Sequence, residues 1–317
     1  MTSQTRRHWA RRGFTVIEIV IALTIFSIVG LVLTKILLSQ TQSFQRDVTS
    51  RRARGGARGA VNVMISDLRM TQDVGGVQAA DDSTITVLVP VVFGLVCASN
   101  GATSTTIATV AVDSFVTAQV KYGGYAVRSL GSPYSYTYVP SLAGSATPTS
   151  KAACTGLTTP VRPDTVSVRP NVAAQGGDTG RVIRFTPGTT AATYVGQPAF
   201  LWQTVSYMFR ADTVFAGTRA LYRQTCNGAT SPVCVSEKIM APFTTKARFN
   251  YYLNSYLNSG SPSSQDSSVK LLSTGPTDVR GVEIVLAAQS PDTVRGSKGA
   301  AKSTTTTSVF FKNVRMP

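Results

Sequence analysis

One carboxylate lies inside the most apolar stretch of this 317-residue chain. Glu18 is the only charged residue between Phe14 and Thr34, a run of 21 residues. As a helix that rises ~1.5 Å per residue, this run is long enough to cross a hydrocarbon layer of roughly 30 Å. A carboxylate in such a layer costs on the order of 3 kcal/mol or more. The run itself offers no basic residue, so Glu18 predicts a partner from outside the run.

The residues in front of Glu18 form a motif. Arg11, Arg12 and Gly13 precede the segment that begins at Phe14 and leads into the apolar run. This pattern resembles the type IV prepilin signature, which the pseudopilins of type II secretion share. The resemblance implies that a prepilin peptidase cuts between Gly13 and Phe14 and methylates the new amino terminus. It also implies that Glu18 meets the amine of Phe14 of a neighbouring subunit, through a charge-assisted hydrogen bond.

Residues 1–13 are therefore expected to be a leader that is not part of the fold. Basic residues flank the apolar run on both sides, so charge alone does not decide its orientation. The resemblance places the leader in the cytoplasm and the rest outside the bacterial inner membrane, and later in a cell-surface or periplasmic filament. The cut removes four arginines, which leaves 27 basic against 15 acidic residues, a formal net charge of +12.

Five arginines are concentrated just beyond the apolar run: Arg46, Arg51, Arg52, Arg54 and Arg58. Lipid headgroups of the inner membrane or acidic residues on neighbouring subunits are the partners closest to this basic patch. A solvated face and nucleic-acid binding are the alternatives. Aromatic residues, which would stack on single-stranded nucleic acid, are not interleaved with these arginines, and this counts against nucleic acid.

The four cysteines allow three pairings if all of them are oxidised. Cys226 and Cys234 flank a turn-forming loop that is short enough for a disulfide to close. A bond between Cys97 and Cys154 is the second candidate, and free buried thiols are the alternative. Either bond would place the domain in an oxidising compartment.

The segment from residue 14 to residue 70 contains no proline and is expected to be one helix of roughly 55 residues. Its first half is predicted to protrude into the membrane or a filament core. In the second half, Val61, Met64 and Leu68 recur at helical spacing and are predicted to pack on the rest of the protein.

Glycines are the weak points of this helix. Gly30 lies in the apolar run, and three more glycines lie between residues 55 and 59. Each lowers helix stability by up to ~1 kcal/mol relative to alanine. They predict bending or local melting, with Gly30 as the bending position inside the membrane.

From residue 71 the chain changes to short β-branched runs separated by Gly, Ser, Thr and Pro, which is typical of antiparallel sheets. Strands are predicted at 84–92, 107–120, 181–185, 201–210, 219–223, 243–253, 279–287 and 307–312. The stretches 143–160 and 254–277 are predicted to be surface loops. The fold class is thus α+β, with a membrane and stalk helix (14–70) packed on a β-rich globular head (71–317).

A second, looser resemblance concerns the head. Segments similar to PilW-type minor pilins and J-type pseudopilins occur at 67–69, 205–210, 220–223, 239–253, 278–286 and 309–313. This resemblance implies a pilin-like α/β-roll, in which the helix packs against an antiparallel sheet.

No catalytic or cofactor motif is found in the sequence. His8, the only histidine, lies in the expected leader, so the processed chain lacks the commonest general base and metal ligand. The cysteines have no zinc-ligand spacing, and nucleotide-binding motifs are absent. We therefore expect neither an enzyme nor a bound metal or cofactor.

Three classes of function follow. The first is a minor pilin-like subunit that joins or primes a type IV pilus with major and other minor pilins, or its type II secretion counterpart, a minor pseudopilin. The second is a tip adhesin or a DNA-capture pilin, which predicts salt-dependent binding. The third is a membrane-anchored surface protein in which Glu18 is incidental and Gly13 is not cut.

Overall fold

The structure, a computed structural model, consists of one long helix followed by an antiparallel sheet. It describes residues 15–72, 74–109, 122–129, 135–140, 147–149, 154, 181–189, 195–227, 233–253, 279–293 and 299–311. The predicted α+β class is confirmed, because every pairing among the described strands is antiparallel and the helix packs on the sheet.

Helix α1 spans Val16–Met70, 55 residues. It ends where Thr71 becomes extended and its N–H donates to the carbonyl of Leu68 at 3.2 Å. The helix continues without a break through Gly30 and through the three glycines between residues 55 and 59. The predicted local melting was therefore wrong, because the unbroken turns on either side of each glycine extend the helix through it. Bending at Gly30 stays a prediction.

The two halves of α1 have different surroundings. Every residue from Thr15 to Thr41 is exposed. By length and composition, α1 is a helix able to cross a membrane. The second half buries one face, as predicted for Val61, Met64 and Leu68. The alanines Ala53, Ala57 and Ala60 continue this face toward the membrane.

Thirteen strands follow the helix in the described residues. They are β1 (Val77–Ala80), β2 (Thr84–Ser99), β3 (Thr105–Thr109), β4 (Gly124–Arg128), β5 (Tyr136–Pro140), β6 (Thr147–Thr149), β7 (Val182–Phe185), β8 (Pro198–Ala211), β9 (Arg219–Asn227), β10 (Val233–Phe243), β11 (Arg248–Leu253), β12 (Val279–Thr293) and β13 (Ala300–Phe310). The main path through the sheet is β11-β12-β10-β9-β8-β2-β3-β7-β6, with β13 on β12, β1 on β2, and β4 on β8.

Most of the predicted strands are present, and several are longer than predicted. The segment 243–253 is not one strand, because a turn closed by the Ala247 N–H and the Thr244 carbonyl separates β10 from β11. The predicted loop 143–160 contains β6, so that part of the prediction was wrong. Residues 110–120 of a predicted strand, and the predicted loop 254–277, lie outside the described residues.

The two largest apolar cores among the described residues occupy different parts of the head. The first joins the buried face of α1 to the inner residues of β2, β8, β11, β12 and β13. The second lies away from the helix, around Tyr125, Phe185 and Leu201. The helix is therefore part of the main core of the head and not only a tether to the membrane.

Candidate functional site

Thr15 and Glu18 form a hydrogen-bonded pair at the start of α1. The backbone N–H of Thr15 donates to Glu18 Oε2 at 3.1 Å, and the Thr15 hydroxyl donates to the same oxygen at 3.2 Å. In return, the Glu18 N–H donates to Thr15 Oγ1 at 3.4 Å. This capping box satisfies helix donors that have no partner within the helix. Sequence reasoning missed Thr15, although a Thr followed three residues later by Glu is the signature of such a box.

The arrangement leaves half of the carboxylate for another partner. Both hydrogen bonds to Glu18 are on Oε2, and Oε1 accepts none from the described residues. The residue is exposed, and residues 15–41 pack on nothing else in the described part of the chain. A cation that approaches from another molecule therefore finds one oxygen of Glu18 free. Gly13 and Phe14, the predicted processing residues, lie outside the described residues.

The five arginines of the predicted basic patch do not point in one direction. Arg51, Arg54 and Arg58 lie on one flank of α1, given about 100° of rotation per residue. Arg52 lies on the opposite flank, where its Nη1 is 2.9 Å from Asp292 Oδ2 at the end of β12. Arg46 is exposed below the point where the head begins to cover the helix.

A cleft of about 350 Å³ marks the junction between the bare helix and the head. Phe44, Val48 and Thr49 on α1 line it together with Arg52 and Asp292. The Arg52 to Asp292 ion pair is mostly exposed on both sides, so it contributes little to stability. The junction is therefore held mainly by the packing that begins at Thr49.

A polar cluster attaches the last turns of α1 to the middle of the sheet. Asp67 Oδ2 accepts from the Tyr207 hydroxyl at 2.7 Å and from Arg223 Nε and Nη2 at 3.1 and 3.0 Å. On the neighbouring strand, β10, the Oε1 atom of Glu237 lies 3.7 Å from Arg223 Nη1. Burial raises the pKa of Tyr207 above its ordinary value, and the negative charge of Asp67 raises it further. Tyr207 therefore remains a neutral donor to Asp67 at neutral pH.

Two disulfides close the head, and they are the pairs named as candidates from the sequence. Cys97 in β2 is bonded to Cys154, and Cys226 in β9 is bonded to Cys234 in β10. Cys226 and Cys234 are also direct partners in the register of the two strands. Bonds of this kind persist in oxidising compartments.

Metal-binding groups are scarce in the described part of the head. There, no three residues among His, Cys, Asp and Glu lie close enough together to hold a metal ion. Asp212, a buried carboxylate of the β8 to β9 turn, is bonded to Lys238 Nζ at 2.7 Å. A cation at this position would have to displace the lysine.

Comparison with known proteins concerns the amino-terminal segment. Residues 10–34 match a family model described as the prokaryotic N-terminal methylation motif, and the match includes Gly13, Phe14 and Glu18. Neither curated proteins nor solved structures give a match to the chain. The resemblance to PilW-type and J-type proteins thus stays a prediction.

The methylation motif begins before α1 in the sequence and extends into its first half. Residues 15–34 of the motif lie on the exposed, apolar half of α1 and its cap, which precede the antiparallel head. The motif and this arrangement are consistent with a type IV pilin-like or pseudopilin-like protein. The apolar helix fits anchoring in a membrane.

Proposed function

We propose that this chain is a minor pilin-like subunit that joins or primes the assembly of a type IV pilus. Prepilin peptidase cuts after Gly13 and methylates Phe14, the head lies outside the cytoplasm, and major and other minor pilins are its partners. The role is structural and not catalytic. The type II secretion minor pseudopilin is the alternative within the same class, because the motif serves both machines.

The observation that carries the proposal is Glu18 within the methylation motif. Its Oε2 is held by Thr15, and Oε1 is open on a helix face that nothing in the described chain covers. A carboxylate exposed to hydrocarbon is unfavourable until a cation neutralises it. The amine of Phe14 on a neighbouring processed subunit is a cation only four residues in sequence from that subunit's own Glu18, so it enters the same region of the membrane. Assembly thus removes an unfavourable charge from lipid.

The proposal is tested with the isosteric variant Glu18→Gln in cells that make the filament. A charge-assisted hydrogen bond contributes about 1.5–3 kcal/mol, so the variant should be incorporated into filaments roughly 10- to 100-fold less than the native chain. Glu237→Gln, an exposed glutamate of the head, is the matched control and should be incorporated normally. Mass spectrometry of the mature amino terminus should find methylated Phe14 in all three proteins.

Two results would contradict the proposal. Undiminished incorporation of Glu18→Gln would show that the carboxylate has no role in assembly. A mature chain that still begins at Met1 would be a plain membrane anchor. Loss of secretion with intact pili would assign the chain to the type II machine, and salt-dependent binding of DNA by the head would assign it to DNA capture.

A further inference from the structure

Three of the arginines beyond the apolar run share one face of α1, which we call the arginine stripe: Arg51, Arg54 and Arg58. Their spacing of three and four residues keeps them within roughly 60° around the helix. All three are exposed. Arg51 is paired with Asp47 at 2.8 Å, whereas Arg54 donates only to the carbonyl and hydroxyl of Ser50.

The described part of the chain leaves two arginines of this face, Arg54 and Arg58, without an acidic partner. Among the described residues, no carboxylate lies within ion-pair distance of Arg54 or Arg58. Like charges three and four residues apart on a helix repel each other by a few tenths of a kcal/mol per pair. Gly55, between the arginines, adds a cost of ~1 kcal/mol relative to alanine. A Cβ at Gly55 would meet nothing within 4 Å, so packing inside the chain does not explain the glycine.

Lipid headgroups are too distant to pair with the upper part of the stripe. Counted from Leu38, the last of three apolar residues that follow the run after Lys35, Arg54 lies ~24 Å and Arg58 ~30 Å along the helix. The headgroup layer is roughly 5–8 Å thick on each side, and its surface potential decays over about 8 Å. The head covers α1 from Thr49, so tilting the helix toward the membrane would press the head into the bilayer. Among the arginines, Arg46 at ~12 Å is the one closest to the headgroups.

A second copy of the chain at the same height does not supply the missing charge. The segment 46–58 contains five arginines and a single acid, Asp47, which is already paired with Arg51. Two such segments side by side would place cations against cations. The compensating partner therefore has to be a molecule with carboxylates at this height above the membrane.

We propose that the arginine stripe binds exposed Asp or Glu residues on a different subunit of the filament, so that this chain takes an acidic heterologous neighbour. Arg54 and Arg58 hold the carboxylates, and the bare backbone at Gly55 lets the neighbour approach the helix closely. This inference rests on the proposed role as a filament subunit. It explains a cationic, glycine-containing stretch that weakens the helix in the isolated chain.

The first test is the double charge reversal Arg54→Glu/Arg58→Glu. Its matched control is Lys246→Glu/Lys302→Glu, which changes the net charge equally at two exposed positions of the head. We expect incorporation of the stripe variant to fall by about tenfold or more, and that of the control to stay within about twofold of the native chain. Equal incorporation of the two variants would overturn the inference.

The second test identifies the neighbour. Arg58→Lys places an amine on the stripe, which a carbodiimide joins to a carboxylate in contact with it. Mass spectrometry of membranes and filaments should find Lys at position 58 linked to Asp or Glu of a different protein that carries its own amino-terminal methylation motif. A link to a second copy of this chain, or no link, would overturn the inference.

The outcomes for Glu18 and for the stripe are separable. If Glu18→Gln abolishes incorporation and reversal of the stripe does not, the inference fails and the proposed function stands. If Glu18→Gln is incorporated normally, the proposed function fails, whatever the stripe variants do.

Discussion

Asp67 is the residue that fixes how α1 enters the sheet. One of its oxygens accepts hydrogen bonds from Tyr207 in β8 and from Arg223 in β9. The side chain of Asp67 is 16% exposed and that of Arg223 24%, so the pair is largely withdrawn from water. Removal of one partner from such a pair leaves the other charge without compensation.

Replacement of Asp67 should therefore destabilise the head. We expect Asp67→Ala to lower the free energy of unfolding by about 2–4 kcal/mol, and Tyr207→Phe, which removes one hydrogen bond but keeps the ring, by about 1 kcal/mol. Denaturant unfolding of the detergent-solubilised chain measures both values. In a double-mutant cycle, Asp67→Ala with Arg223→Met should cost less than the sum of the single changes, because no buried charge is left unpaired. Strict additivity would show that the pair does not act as a unit.

The hydrogen-bond partners of Asp67 could not be predicted from the sequence. Asp67 is separated from Tyr207 and Arg223 by 140 and 156 residues, so no local pattern joins them. The Thr15 to Glu18 box differs, because its two members lie three residues apart and its signature is readable. The importance of Glu18 could be predicted because a single charge in an apolar run is visible in the sequence and does not depend on the fold.

Small residues let α1 approach the sheet closely. Ala57 and Ala60 are completely buried, and a Cβ on Gly56 would lie 3.3 Å from the sulfur of Met240 in β10. Gly56, one of the glycines that were expected to weaken the helix, is thus favoured at its position because a side chain there would crowd Met240. Beyond residue 60, the buried face of α1 carries the larger side chains Val61, Met64 and Leu68.

A larger side chain on the alanine face should push the helix away from the sheet. We expect Ala57→Leu to lower the free energy of unfolding by about 1–3 kcal/mol, because the added atoms have no cavity to fill. The matched control Ser66→Leu places the same side chain on an exposed turn of α1 and should change stability by less than about 0.5 kcal/mol. Denaturant midpoints of the two variants give the comparison. If both behave alike, the helix is not packed tightly at Ala57.

At the level of elements, patterns of apolar residues predicted α1 and most of the strands, because one face of each repeats with the period of the element. The patterns failed where long-range packing decides. Val233 to Lys238 of β10 are exposed on both faces, so no alternation marks them as a strand. Position 124, where β4 begins, requires glycine because the carbonyl oxygen of Val139 and the ring of Trp202 occupy the space that a Cβ would need. Such a contact is invisible in the local sequence.

Buried tyrosines make the stability of the head depend on pH in the alkaline range. Burial raises the pKa of Tyr125 to about 12, although its hydrogen bond to Thr105 lowers it somewhat. Burial also raises the pKa of Tyr207 and Tyr251 well above 10. These residues lie in both apolar cores, Tyr125 in one and the other two in the core that includes α1. Ionisation of any of them is therefore less favourable in the folded head than in the unfolded chain.

The head should accordingly lose stability at high pH. Below pH 10, the tyrosines are neutral in both the folded and the unfolded state. As the pH rises from 10 toward 12, the unfolded state releases protons that the folded state retains, which lowers stability by about 1.4 kcal/mol per pH unit for each tyrosine. Denaturant unfolding between pH 9 and pH 11 measures the slope. Tyr125→Phe should reduce the slope by about the share of one tyrosine, and an unchanged slope would show that Tyr125 ionises without unfolding.

The exposed half of α1 limits how this protein can leave the membrane. From Val16 to Leu38 its side chains touch no other part of the described chain. Other molecules therefore have to cover this apolar surface. Water is a poor solvent for that half. If the chain is a filament subunit, as proposed, the apolar half of α1 has to pass directly from the bilayer into the filament without exposure to water.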